Sequence, residues 1–211
     1  MTSKEYEKRF EGAYSLLVEA HSFFFVWRAL QKKEYEHYWR GTANFWNAVI
    51  SSLNHSWMLS LAKIYEESKY SKRDEVISIY SLVEHQADTA RKNEAKRLLV
   101  KRKGLFKNLK NIRNRLLAHN NAKHRADPKV LFKKYPIKYA EIEALFEMTE
   151  ELFHLLHPQS NHSLSMEGFN EKCGRDVEVI MKKMKFWEDE LLKHHKRLEK
   201  GESYSDFPPK S

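Results

Sequence analysis

Glycine and proline are scarce: 6 and 5 of 211 residues, about 3% and 2% where about 7% and 5% is usual. An all-β chain needs turn-forming residues every 8 to 12 positions or so, and this one cannot supply them. A single cysteine, Cys173, excludes an intramolecular disulfide and any multi-cysteine zinc site. The longest purely apolar run, Phe23 to Trp27, is far short of the roughly 18 residues that a membrane span needs. There is no glycine-rich phosphate loop, which argues against kinases and dinucleotide enzymes. No charged-then-apolar leader opens the sequence, so a soluble protein of the reducing cytoplasm is expected, with no membrane partner.

What is present is helical periodicity. Apolar residues recur at steps of three and four along nearly the whole chain, and alternation of period two is almost missing. Thr2 or Ser3 can cap a first helix carrying Leu16, Leu17, Ala20, Phe23, Phe24, Trp27 and Leu30. Gly41 and Thr42 mark a restart, and a second helix carrying Phe45, Trp46, Val49, Leu53, Trp57, Leu61, Ile64 and Tyr65 runs to about Glu67. Asp74 is the expected N-cap of a helix ending near Gln86. Thr89 opens a basic segment that reads as one long helix to about Ala118, with Asn120 and Asn121 as its stop. Asp127-Pro128 restarts the chain, and a helix follows Pro136 and stops before Pro158. A Ser/Asn/Gly linker at 159–170 precedes a last helix, Glu171 to Lys200. The expected fold class is therefore all-α: an up-down helical bundle forming one domain, 1–200, with an additional C-terminal helix and a flexible tail at 201–211.

Charge is unevenly placed. The chain carries a formal +9, yet residues 91–125 hold 13 Lys+Arg and one acid, Glu94, so the remainder is slightly acidic. Steps of three, four and seven put Lys92, Lys96, Lys103, Lys107 and Lys110 on one helix face and Leu105, Leu109, Ile112 and Leu116 nearly opposite. A cationic stripe with an apolar back suits a bundle helix that faces a polyanion. The expected nucleic-acid contacts are Lys103, Lys107, Lys110, Arg115, Lys123 and Arg125. A lysine face that serves solvation alone is the bland alternative.

This helix ends in Ile112-Arg113-Asn114-Arg115-Leu116-Leu117-Ala118-His119-Asn120-Asn121. Arg113, the polar Asn114, and His119 after five intervening residues resemble the motif of HEPN domains (higher eukaryotes and prokaryotes nucleotide-binding). An aromatic-rich second helix, Phe45 to Tyr65, preceding a basic helix that ends in Arg…Leu-Ala-His, is similar to the abortive-infection branch of that superfamily. The resemblance covers roughly residues 10 to 160. It implies a bundle of HEPN type, a homodimer whose subunits line one cleft, and a metal-independent endoribonuclease in phage defence or a toxin–antitoxin pair. RNA is then the substrate and an antitoxin a possible partner; no metal or cofactor is implied. The catalytic residues it implies are Arg113, Asn114 and His119.

Those residue types suit the chemistry. A histidine with an unperturbed pKa of about 6.5 can take the proton of a ribose 2′-hydroxyl or protonate the 5′-oxygen leaving group. Arginine offers forked donors to phosphate and to the charge that develops on it. Asn114 can orient the imidazole or the phosphate. Geometry adds a constraint: in one straight helix Arg113 and His119 stand about 120° and about 9 Å apart. Either the helix unwinds near Ala118 or two copies meet across a two-fold axis. Arg and His in a last helical turn also complement the helix dipole without any catalysis. A non-catalytic HEPN-like module that binds nucleic acid or a protein partner is accordingly the alternative function.

Other constellations carry less. Glu34-x-x-His37 and Glu151-x-x-His154 resemble half of a di-iron bundle site, but about 1.2 such pairs are expected by chance in this composition. A helical metalloprotein is therefore the third reading. His154-x-x-His157 and His194-His195 lack a third zinc ligand. Cys173 lacks a histidine partner. Phe23, Phe24, Trp27, Phe45, Trp46 and Trp57 sit at helical spacing and are expected in the core or a dimer contact.

Overall fold

The first helix begins where its hydrogen-bonding groups dictate. Thr2 Oγ1 accepts from the Glu5 amide at 3.3 Å and Glu5 Oε2 accepts from the Thr2 amide at 2.7 Å, a capping box that satisfies two N–H groups at once. In the computed structural model, which describes residues 1–41, 43–66, 77–118, 133–159 and 166–200, this helix, α1, spans Ser3–Leu30. A 3₁₀ turn, Lys33–Tyr35, leads to α2 (Glu36–Gly41), and α3 (Ala43–Ile64) starts just past the Gly-Thr restart. Helix α4 (Ile79–His85) is capped by Ser78, whose hydroxyl accepts from the Ser81 amide at 3.4 Å. The expected cap, Asp74, lies outside the described residues, as does the tail at 201–211.

Helix α5 (Thr89–Lys101) starts as expected, with Asp88 Oδ1 accepting from the amides of Ala90 and Arg91 at 2.9 and 3.1 Å. The single long basic helix is not observed. Arg102 leaves helical geometry at φ −116°, ψ 14°, α6 occupies Lys103–Ile112, and Arg113–Ala118 is π-helical. Gly104 beside the break lowers helix propensity by about 1 kcal/mol relative to alanine, so continuity is weakest there. The expected stripe is thereby divided, with Lys92 and Lys96 on α5 and Lys103, Lys107 and Lys110 on α6. Helix α7 (Tyr139–Leu156) falls between its two prolines, and α8 (Glu167–Glu199) begins one turn earlier than the sequence suggests, after the buried Met166. Among the described residues there is no strand, and no helix is long and apolar enough to cross a membrane.

Two helices run antiparallel to α1 and a third runs parallel to it. Glu19 meets Ser60 of α3 at 2.9 Å while Phe24 meets Trp57, so α1 and α3 are antiparallel. Tyr6 donates to the Leu156 carbonyl at 2.7 Å, Phe24 stacks on Phe146 at 4.7 Å, and Arg28 pairs with Glu143 at 2.9 Å, so α7 is antiparallel to α1 as well. Helix α8 runs parallel to α1, through Tyr14–Met166, His21–Asn170 and Lys32–Glu178. The main core draws on α1 and α3 to α7. A second apolar cluster joins Ala29, Leu30, Tyr35, Trp46, Val177 and Met181 at the far end. Of the aromatics expected inside, Phe24, Trp46 and Trp57 are buried, Phe23 and Trp27 pack against the core, and Phe45 stays 62% exposed.

One buried group carries a pH signature. His21 is fully buried between α1, α7 and α8, stacked on Phe25 and edge-on to Phe146. Its Nδ1–H donates to Asn170 Oδ1 at 3.0 Å, and Nε2 lies 3.3 Å from Glu150 Oε1 without hydrogen-bond geometry. Burial pushes the imidazole down to about 4, against the opposing hydrogen bond to Asn170, and burial likewise raises the Glu150 carboxyl. The unfolded chain therefore binds a proton at His21 between about pH 6.5 and 4 that the folded chain refuses, and stability falls as pH drops through that window. Glu150 works in the opposite sense, stabilising the fold most when protonated. The His21 share of the loss should reach at most about 3 kcal/mol by pH 4. Urea unfolding across that range should show the slope, and His21→Gln should flatten it. A slope unchanged in the variant would assign it to other groups.

Candidate functional site

Helix α6 is strongly two-faced. Leu105, Phe106, Leu109 and Ile112 are buried, while Lys103 and Lys107 are exposed and Lys110 is half-buried. Phe106 fixes the helix against α3 by stacking on Tyr65 at 4.0 Å. Tyr65 is itself buried, its hydroxyl 2.6 Å from that of Thr149 on α7, and burial raises its phenol well above the usual range. These contacts hold the end of α3 beside the end of α6.

At that junction stand Arg113 and Asn114, the first two residues of the π-helical turn. Turns with i→i+5 bonding are rare and concentrate at functional sites. The Arg113 side chain is 13% exposed, and its two terminal nitrogens donate to the Glu66 carboxylate at 3.2 and 3.5 Å. Its Nε–H donates to Asn114 Oδ1 at 3.0 Å. Three of five guanidinium N–H groups are thus committed. Among the described residues the other two have no hydrogen-bond partner.

Arg115 turns elsewhere. Its guanidinium lies 5.6 Å from the centre of the Tyr135 ring, and Lys134 Nζ lies 5.7 Å from the same ring. Asn108 of α6 donates to the Pro136 carbonyl at 3.0 Å, tying this short segment along the helix. Exposed Lys133, Lys134 and Lys138 therefore extend the cationic surface begun by Lys103 and Lys107. Of the nine expected site residues, Arg113 and Asn114 are brought into contact, and Lys103, Lys107 and Lys110 share α6. Arg115 is engaged with Tyr135, and His119, Lys123 and Arg125 lie outside the described residues.

Glu66 and Tyr135 were not foreseen. Glu66 is 47 positions from Arg113 in sequence, and no local spacing rule links them. A hint for Glu66 existed in its place just past a helix that packs on the basic one. The Glu-x-x-His pairs do not build a metal site: Glu34 and His37 lie past the end of α1 that meets the start of α7 through Arg28 and Glu143, whereas Glu151 is near the opposite end of α7. Among the described residues no three His, Cys, Asp or Glu side chains converge. Cys173 is half-buried, and burial pushes its thiol up.

Comparison with known proteins adds one finding. The model of the HEPN AbiU2 family matches residues 3–178. No curated protein matches, and no solved structure does.

The ion pair is measurable by a double-mutant cycle. Glu66→Gln should destabilise the fold by about 1–3 kcal/mol, because it strips a partner from a largely desolvated guanidinium. Arg113→Lys should cost a similar amount, since an ammonium cannot reproduce the fork. The double variant should cost less than the two together, by about 0.5–3 kcal/mol. Strict additivity in urea unfolding would mean that the pair contributes nothing to holding the turn.

Proposed function

The chain belongs to the HEPN AbiU2 family, an abortive-infection family, and from that membership we propose that it is a metal-independent endoribonuclease. The observation that carries the proposal is the pairing of Arg113 with Asn114 on a π-helical turn at the end of a basic, two-faced helix. In this reading RNA lies along Lys103, Lys107 and Lys110, with Lys123 and Arg125 extending the contact and Arg115 stacked at its edge. The ribose 2′-oxygen attacks phosphorus and the bond to the 5′-oxygen breaks, giving a 2′,3′-cyclic phosphate and a 5′-hydroxyl. His119 takes the proton of the nucleophile or supplies that of the leaving group. Arg113 directs its two uncommitted N–H groups at the non-bridging oxygens, and Asn114 and Glu66 fix the guanidinium plane. A homodimer lining one cleft, action in the cytoplasm, a role in phage defence or as a toxin, and control by an antitoxin complete the proposal.

A second reading has its own support. Glu66 already occupies the fork of Arg113, and a carboxylate there repels phosphate. A HEPN module that binds nucleic acid or a protein partner through the lysines, without cleavage, accommodates that arrangement.

The two readings part in one experiment. Purified protein in EDTA should cleave single-stranded RNA, leave cyclic phosphate ends and spare DNA of the same sequence. His119→Ala should lower the rate by about 10²–10⁴-fold, and Arg113→Ala by a similar factor, with melting curves checked alongside. Intact RNA under all conditions would leave the binding module standing.

Binding itself has a separate readout. Replacing Lys103, Lys107 and Lys110 with Gln should reduce the slope of log affinity against log salt by about 0.7 per lysine on single strands. An unaltered slope would reduce these lysines to a solvated face.

A further inference from the structure

The segment 133–138, Lys-Lys-Tyr-Pro-Ile-Lys, carries three lysines and no acid. Asn108 of α6 donates to its Pro136 carbonyl at 3.0 Å, which fastens the segment alongside α6. At about 100° per residue, Asn108 and Arg115 fall on one flank of the lysine face of α6 and Arg113 on the other. The contacts follow that division: Arg113 meets Glu66 past the end of α3, and Arg115 meets Tyr135 of the segment. Lys103 and Lys107 lie exposed between the two flanks.

Tyr135 draws two cations to one ring. The Arg115 guanidinium lies 5.6 Å and the Lys134 ammonium 5.7 Å from its centre. Among the described residues neither cation pairs with a carboxylate, whereas Arg113, two positions before Arg115 on the same turn, is neutralised by Glu66. A ring face attracts one cation through its quadrupole, but a second brings repulsion between like charges. As a brace for the segment the arrangement is poor, and the Asn108 bond already supplies one. It becomes favourable once a phosphate lies between the cations. Tyr135 is half-buried and packed against the main core, and among the described residues no other aromatic ring covers the rest of it. An aromatic face flanked by cations, beside a row of lysines, is how single strands are held: a base stacks on the ring and its phosphate meets the charges. A duplex cannot use the ring, because its base faces are covered by their neighbours.

We propose that Tyr135, Arg115 and Lys134 form a subsite for one unpaired nucleobase of single-stranded RNA and its phosphate, on the flank of α6 opposite Arg113. The inference rests on the reading that RNA lies over the lysines of α6, and not on cleavage. A strand crossing the lysine face has Arg113 at one edge and Tyr135 at the other, so stacking holds the strand without touching the phosphate beside Arg113. The domain therefore takes single strands and unpaired loops in preference to duplex. It tolerates any base at this position, since every base has a π-face.

The test is binding of a short single-stranded RNA that carries one 2-aminopurine, with 2′-O-methyl riboses so that the strand stays intact, beside a duplex of the same sequence. The parent protein should prefer the single strand and quench the 2-aminopurine. Tyr135→Leu keeps an apolar contact with the core; it should weaken single-strand binding about tenfold and abolish the quenching. Duplex affinity, the melting temperature and the slope of log affinity against log salt should stay as in the parent. Tyr135→Phe should bind and quench like the parent, because the ring and not the hydroxyl is used. Arg115→Gln should lower the salt slope by about 0.7. Quenching that survives Tyr135→Leu, or a parent that binds duplex as tightly as single strand, would overturn the subsite and leave the lysine face standing. Equal losses on single strand and duplex in Tyr135→Leu would reduce the ring to a brace. A parent that binds neither would overturn the subsite and the lysine reading together. Loss of quenching as described, from a chain that leaves unmodified RNA intact, would keep the subsite and discard the ribonuclease.

Discussion

Helix α1 is buried against α3 on one side and α7 on another while α8 runs along its remaining flank, and small side chains make that crowding possible. Ala13 and Ala20 are wholly inaccessible, as are the neighbouring Leu17 and Phe24 to within 1%. Alanine at these positions lets helix backbones approach closely enough for the aromatic side chains of α3 and α7 to interlock around Phe24. The position of α3 depends on this packing, and through Tyr65 and Phe106 so does the position of α6. The Arg113–Glu66 pair is thus an indirect product of what α1 does not carry. A larger residue at Ala20 would be felt first in the core and next at the site.

The bundle was largely legible from period and caps because those signals are local. Thr2, Gly41, Thr89 and the two prolines bracketing α7 each act within a few residues, and each marks an observed boundary. The break at Arg102 was not legible. Ala95, Leu98 and Leu99 on α5 and Leu105, Phe106, Leu109 and Ile112 on α6 would also lie along one side of a continuous helix, so hydrophobic pattern alone could not reveal the interruption. Only Gly104 hinted at it. The early start of α8 escaped for a related reason: what orders Met166 and Asn170 is contact with Tyr14 and His21, some 150 positions away.

The candidate site divides in the same manner. Arg113 and Asn114 were readable as a motif, and Lys103, Lys107 and Lys110 as a helix face, since both depend on short spacings. Glu66 and Tyr135 were not, because each reaches the site from another part of the chain. Family membership fixes the kind of domain, while the carboxylate against Arg113 is a particular of this chain's structure and bears directly on how strongly an anion is drawn there.

Glu66 has a consequence for how attraction and orientation are shared out. Paired with a carboxylate, Arg113 contributes almost no net charge beyond its immediate surroundings, so in the proposed function the long-range pull on RNA would come from the lysines of α6 and of the 133–138 segment. That pull decays over a Debye length, about 8 Å at physiological ionic strength, and is erased by added salt. The two directed N–H groups of Arg113 act only at contact, where screening has little effect. In the proposed ribonuclease, recruitment and alignment would therefore fall to different side chains and respond differently to the medium: one tuned by ionic strength, the other by the angle at which Glu66 and Asn114 hold a plane.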